Sequence, residues 1–153
     1  MTPAIANLRA RLSACRGVLV DSNILLDVAT GDPTWCEWSR RALVEAAEHT
    51  SLIINPIVYA EVSANYSTIE LLDAALPEAL YRREPLPWEA GFLAGRSFQV
   101  YRRRGGQRRS PLPDFYIGAH AVAGRFALLT RDVARYRTYF PTIEILAPAR
   151  RPM

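Results

Sequence analysis

Four carboxylates stand where this chain could do chemistry. Asp21 closes the apolar run Val18-Leu19-Val20, and Asp132 lies just past a second such run, Phe126-Ala127-Leu128-Leu129. Asp114 follows Pro113 in the first turn of an expected helix, and Glu61 is set among Ile57, Val58, Ala60 and Val62. Singly, each has an ordinary reading. An Asp after a strand caps the next helix, a first-turn Asp suits the helix dipole, and a Glu can face solvent. Glu61 is the less ordinary residue, because a carboxylate in an apolar helical face is costly unless paired or bound to a cation. If the strand ends converge, so do four like charges. At an effective dielectric of about 20, each pair ~5 Å apart costs ~3 kcal/mol. Protonation or a bound cation must then relieve the site, and a hard divalent ion with oxygen ligands, Mg²⁺ or Mn²⁺, is the natural partner. Carboxylate-held metals activate water and stabilise the oxyanions of phosphodiester cleavage.

The surrounding pattern positions these acids. Val18-Leu19-Val20, Leu52-Ile53-Ile54 and Phe126-Ala127-Leu128-Leu129 are short runs with no polar face, as strands buried on both sides require. A weak strand is expected over 78–83 and a last one near 143–145. Helices are expected over 3–14 (Ile5, Leu8 and Leu12 in phase), from Asp32-Pro33-Thr34 to His49, after Asn55-Pro56, over Ser67 to Pro77, from Pro87 to about Tyr101, from Asp114 to Gly124, and from Asp132 to Tyr139. Thr34 and Glu37 have capping-box spacing, and Trp35, Trp38, Ala42 and Ala46 share one face. Apolar strands alternating with helices predict an α/β fold, a mostly parallel central sheet between two helical layers. Ligands of such sheets bind outside the carboxyl ends of the strands.

Composition narrows the function. The 153 residues suit one domain: a helical extension over 1–16 and a core over 17–146. All 19 basic residues are Arg, against 15 acids, for a net charge of +4 that suits a polyanionic substrate. Without Lys there is no P-loop nucleotide site and no Schiff-base nucleophile. Cys15 and Cys36 cannot build a disulfide framework or a four-Cys zinc site, and read as small hydrophobes of a reducing cytoplasm. No secretory signal or membrane span is visible in the sequence.

Four segments carry a resemblance: Val20-Asp21-Ser22-Asn23-Ile24-Leu25-Leu26, Asn55-Pro56-Ile57-Val58-Tyr59-Ala60-Glu61, Pro113-Asp114-Phe115-Tyr116-Ile117-Gly118-Ala119-His120-Ala121 and Leu128-Leu129-Thr130-Arg131-Asp132. In order and spacing they resemble the acidic motifs of the PIN domain, most closely those of VapC-type toxin ribonucleases. The resemblance covers about residues 17–146. It implies Asp21 and Asp114 as principal metal ligands, Glu61 as a direct or water-mediated ligand, and Asp132 completing the acidic ring. Ser22, Asn23 and Thr130 match the supporting polar positions. It further implies Mg²⁺- or Mn²⁺-dependent cutting of RNA by activated water leaving a 5′-phosphate, a homodimer, and inhibition by a cognate antitoxin. The extension before the first strand is longer than in many such toxins.

Rival readings fare worse. Receiver-type phosphoacceptor domains and Asp-nucleophile phosphohydrolases share the architecture, but both use a Lys beside the phosphoryl group. A non-catalytic PIN-like module that binds nucleic acid or an antitoxin would not need all four acids. Arg102, Arg103, Arg104, Arg108 and Arg109, around Gly105 and Gly106, read either as a solvated helix end or as a phosphate-gripping loop before Asp114. Trp35 and Trp38 read as core, or as a protein-contact surface if exposed. His120, six residues after Asp114, points roughly 240° away from it on a helix and is not expected to share a ligand.

Overall fold

Short apolar triplets make the sheet. The computed structural model describes residues 2–149, so the outer limits of the expected domain, residues 1 and 150–153, lie outside the described residues. In chain order the elements are α1 (Leu8–Arg11), β1 (Val18–Val20), α2 (Ser22–Thr30), α3 (Cys36–Ala47), β2 (Leu52–Ile54), α4 (Pro56–Ser63), α5 (Ile69–Ala75), β3 (Tyr81–Arg83), α6 (Trp88–Arg103), α7 (Pro113–Gly124), β4 (Ala127–Leu129), α8 (Val133–Tyr139) and β5 (Ile145–Leu146). The strands run in the order β3-β2-β1-β4-β5, all parallel, between helical layers. Every residue of β1, β2 and β4 is buried, because helices cover both faces.

Chain order reverses at β1. From β1 the chain builds outward through β2 and β3, then returns to place β4 on the other side of β1. Such a switch point opens a crevice at the carboxyl ends of the two strands. Val20 pairs with Leu129, and the Asp21 amide donates to the Leu129 carbonyl at 2.9 Å. The residues just past β1 and β4 are therefore neighbours in space.

Several local expectations need correction. Helix α1 is only four residues long, although Ile5, Leu8 and Leu12 are all buried as their spacing predicts. Asn7 adopts left-handed φ (56°), which breaks the helix, and the Glu45 carboxylate takes up the Ala4 and Ile5 amides instead. Helix α2 was not anticipated. Its signals were present: Asp21 at the N-cap and Gly31 at left-handed φ (63°) closing the end. Helix α3 starts at Cys36 without the Thr34–Glu37 box, because Asp32 Oδ1 accepts the Thr34 and Trp35 amides at 2.8 Å. The last strand is Ile145–Leu146 rather than 143–145. Cys15 and Cys36 are both free and half-buried.

Helix α4, which carries Glu61, is pinned at its start. Asn55 is buried, and its Oδ1 accepts the Val58 amide at 2.9 Å. That bond orients the side-chain amide, so Nδ2 is the atom 3.0 Å from His120 Nδ1 and must donate to it. His120 is accordingly a neutral core histidine whose burial pushes its pKa down, not a ligand. Asn55→Ala removes the cap and leaves the imidazole without its donor. We expect it to cost about 2 kcal/mol, read as a shift in the urea midpoint; a loss below about 0.5 kcal/mol would show that the cap does not hold α4.

Candidate active site

The acids lie at and around the carboxyl ends of β1 and β4, where the strand order switches. Asp21 is only 3% exposed and is the N-cap of α2, its Oδ1 accepting the Ser22 amide at 2.8 Å. Its Oδ2 accepts from the Thr130 hydroxyl at 2.8 Å, from the Tyr136 hydroxyl at 3.0 Å and from Asn23 Nδ2 at 3.4 Å. The Ser22 hydroxyl donates to Glu61 Oε1 at 3.0 Å while lying 3.5 Å from Asp21 Oδ1. One serine thus couples the acid after β1 to the acid on α4. The supporting hydroxyls Ser22 and Thr130 and the amide of Asn23 all contact Asp21.

Asp114 approaches from the first turn of α7, its side chain 26% exposed. Gly118 permits the packing that brings α8 to it, since a Cβ there would lie 2.4 Å from Phe140 Cδ2. Helix α8 then delivers Arg135, whose Nη1 is 3.7 Å from Asp114 Oδ2, and the fully buried Tyr136. Asp132 stands at the rim. Its side chain is exposed, and its amide donates to Thr130 Oγ1 at 3.0 Å. The structure therefore gathers Asp21 with Glu61 through Ser22, places Asp114 within reach of the Asp21 charge, and leaves Asp132 peripheral. Among the described residues no three His, Cys, Asp or Glu side chains stand close enough together to hold a metal ion as placed.

Burial and like charge both act on these acids. Burial raises the Asp21 pKa to about 6, the Asp114 charge adds to the rise, and the bonds from Thr130, Tyr136 and Ser22 restrain it. Burial likewise raises Glu61, with the Ser22 bond opposing and the Asp114 charge adding. Asp114 is raised by burial, lowered in part by Arg135 and Tyr136, and raised by Asp132. Burial is the largest cause at all three carboxyls, so their ionised forms have lost solvation that a cation would replace. All their donor atoms are oxygens, so the residues fit a hard divalent cation.

Three neighbours of these acids and of their loop have no clear signal in the sequence. Tyr136 and Arg135 lie on α8 beyond the last acidic motif, with no signal but their one-turn spacing from Asp132. Asp27, 3% exposed, receives both Arg131 Nε and Nη2 at 2.7 Å and the Ser39 hydroxyl at 2.6 Å. The Arg131 guanidinium also lies 4.9 Å from the Trp35 ring centroid. This clamp ties the loop bearing Thr130 and Asp132 to α2 and α3. Trp35, against that guanidinium, and Trp38, edge-on to Trp35 at 6.3 Å, are both half-buried.

An all-parallel α/β sheet with oxygen-donor acids collected at its switch point defines the class of protein. A family model described as PIN domain matches residues 18–141, and the chain belongs to the PIN domain family. Its fold is similar to VapBC2 from Rickettsia felis, solved bound to a DNA fragment from their promoter (17% identity, 86% of this chain and 98% of that chain, TM-score 0.66). It is also similar to a toxin–antitoxin complex from Klebsiella pneumoniae (22% identity, 86% and 98%, TM-score 0.59) and to FitAcB from Neisseria gonorrhoeae (17% identity, 86% and 97%, TM-score 0.61). At these identities the likeness is one of fold. No curated protein matches the chain.

Proposed function

We propose that this PIN domain is a Mg²⁺- or Mn²⁺-dependent endoribonuclease acting in the cytoplasm as the toxin of a toxin–antitoxin pair. One observation carries the reading: a buried carboxylate, Asp21, sits at the switch point, joined to Glu61 through the Ser22 hydroxyl and near enough to Asp114 to feel its charge. Asp21, Asp114 and Glu61 would hold the cation, with Asp132 at the rim completing the ring of charge. Bound there, the metal would lower the pKa of a coordinated water and neutralise the attacked phosphate. The protein's own part is to fix the carboxylates through Ser22, Asn23, Thr130 and Tyr136, and to offer Arg135 as the cation nearest Asp114. The fold likeness to toxin–antitoxin complexes supports the cellular role. No helix among the described residues is long and apolar enough to cross a membrane.

The test is cleavage of single-stranded and structured RNA with Mg²⁺ or Mn²⁺ by wild type, Asp21→Asn and Asp114→Asn. Cutting that needs metal, yields 5′-phosphates and disappears in both variants supports the enzyme. Equal cutting by all three would point to a contaminant. Tight RNA binding with no cutting would favour the non-catalytic binding module.

The arginine loop belongs to this proposal as the RNA grip. Arg102, Arg103, Arg104, Arg108 and Arg109 are all exposed, at the end of α6 and just before Asp114. Arg102 Nη1 donates to the Gly106 and Arg108 carbonyls (3.2 and 3.0 Å), which shapes the loop, and Arg104 lies 5.9 Å from the Tyr139 ring centroid. Replacing Arg103 and Arg104 together with Ala should weaken RNA binding and lower the slope of log K against log salt by about 1.4. Fluorescence anisotropy from 50 to 200 mM salt, roughly the range where such contacts show, measures it; an unchanged slope returns the loop to a solvated helix end.

The homodimer and the antitoxin require covered surface. Helix α6 offers Trp88, 97% exposed, and Phe92 one turn on, with Arg96 stacked 4.8 Å from the Phe92 ring centroid. Exposed aromatics grouped in this way mark contact surfaces. Light scattering should show a dimer for wild type and a monomer for Trp88→Glu. A monomeric wild type would remove the dimer from the proposal.

A further inference from the structure

Tyr136 occupies a site that packing alone would give to Phe. Its ring is fully buried, and a phenol there is costly unless its hydroxyl is bonded. The hydroxyl donates to Asp21 Oδ2 at 3.0 Å. The same oxygen accepts from Thr130, and that donor cannot turn elsewhere. Thr130 Oγ1 already accepts the Asp132 amide at 3.0 Å and Asn23 Nδ2 at 3.3 Å, so its single hydrogen is committed to Asp21 at 2.8 Å. Two hydroxyl donors therefore fill Oδ2, with Asn23 Nδ2 a more distant third at 3.4 Å. Oδ1 has one firm partner, the Ser22 amide at 2.8 Å, and shares the Ser22 hydroxyl with Glu61 Oε1. The two halves of one carboxylate are thus unequal: one is saturated by hydroxyl donors, and the other has a single firm donor and lies beside the Ser22 hydroxyl that reaches Glu61.

We infer that Tyr136 is a positioning residue which, with Thr130, ties up Asp21 Oδ2 so that Asp21 presents Oδ1 alone to a divalent cation shared with Glu61. This rests on reading the acid crevice as a metal site. Partners that orient metal ligands typically change metal affinity 10–100-fold when lost. Without the phenol O–H, the carboxylate can rotate and Oδ2 regains a lone pair, so the one-oxygen geometry is no longer imposed.

The test uses the full chain. Mn²⁺ titration followed by electron paramagnetic resonance should show about tenfold weaker binding by Tyr136→Phe, with the variant still folded by near-ultraviolet circular dichroism. An unchanged dissociation constant would overturn the inference. A second measurement does not depend on the variant's folding. In wild type labelled with ¹³Cζ-tyrosine, the Tyr136 resonance should shift on saturation with Mg²⁺, because its acceptor oxygen belongs to a metal-bound carboxylate. Calorimetric Mg²⁺ binding with no movement of that resonance would refute the role of Tyr136 alone. A wild type that binds neither ion would remove both this inference and the metal-site reading beneath it.

Discussion

Asp21→Asn is expected to reduce metal-dependent RNA cleavage by about 10³-fold, equivalent to ~4 kcal/mol of transition-state stabilisation, while making the metal-free protein more stable at pH 7. The two effects share one cause. Asp21 titrates at about 6 in the folded protein against 3.8 ordinarily, so its ionised form is opposed by folding. The folded state holds that proton more tightly than the unfolded chain does. Stability from this group is therefore present at low pH and is lost as pH rises from about 4 to about 6, by about 3 kcal/mol. Glu61 and Asp114, also raised, act in the same direction. His120, lowered by burial, acts oppositely and loses stability as pH falls below its usual range.

Comparing variant with wild type cancels His120 and isolates Asp21. In EDTA at pH 7 an amide avoids the buried charge but accepts the hydroxyl donors less well, leaving a net gain of about 1–2 kcal/mol. At pH 4 the gain should vanish or reverse. Added Mg²⁺ should stabilise wild type by RT ln(1 + [Mg²⁺]/Kd), ~2.7 kcal/mol at a hundredfold excess over Kd, and should leave the variant unmoved. Urea titrations at the two pH values measure all of this. A variant less stable than wild type at both would mean that the carboxylate is not strained, and the reading of these acids as a cation site would fail.

The second large effect is structural. Asp27→Ala is expected to cost about 3 kcal/mol, because it leaves Arg131 and the buried Ser39 hydroxyl without their shared acceptor. For a domain of this size that is a fall of roughly 10 °C in Tm. Asp27→Asn keeps an acceptor for Ser39 while removing the charge from Arg131, and should fall between Ala and wild type. Because Arg131 lies between Thr130 and Asp132, the Ala variant should also lose nuclease activity at temperatures where it remains folded. A loss of stability under about 1 kcal/mol would mean that the loop is held by its other contacts, such as the Arg131 amide on Asn23 Oδ1 at 3.3 Å.

Much of this architecture was legible in the chain. Val18-Leu19-Val20, Leu52-Ile53-Ile54 and Ala127-Leu128-Leu129 have no polar face, so they announce strands buried on both sides. Asn55-Pro56 and Pro113-Asp114 mark helix starts through caps and a missing amide, which are local chemistry. Reading failed where two local signals competed or where the partner was distant. Asp21 reads both as a strand-end acid and as a helix cap, but Ser22–Thr30 has no polar–apolar pattern clear enough to assign the helix that it caps. The Thr34–Glu37 pair has the right spacing, but Asp32 takes the Thr34 amide that Glu37 would have accepted, and the Trp35 amide besides.

By itself the sequence determined which groups carry charge, where strands end and helices begin, and that four acids lie at such boundaries, because those properties depend on a residue and its near neighbours. Only the tertiary structure decided which of them meet. Strand order sets Asp21 beside Thr130 and, through α8, beneath Tyr136, and it leaves Asp132 at the rim. The same packing turned Asp27 and Arg131 into a clamp. Burial and orientation are collective consequences of that packing, so the acidity of Asp21 and the unequal use of its two oxygens have no counterpart in any short stretch of chain.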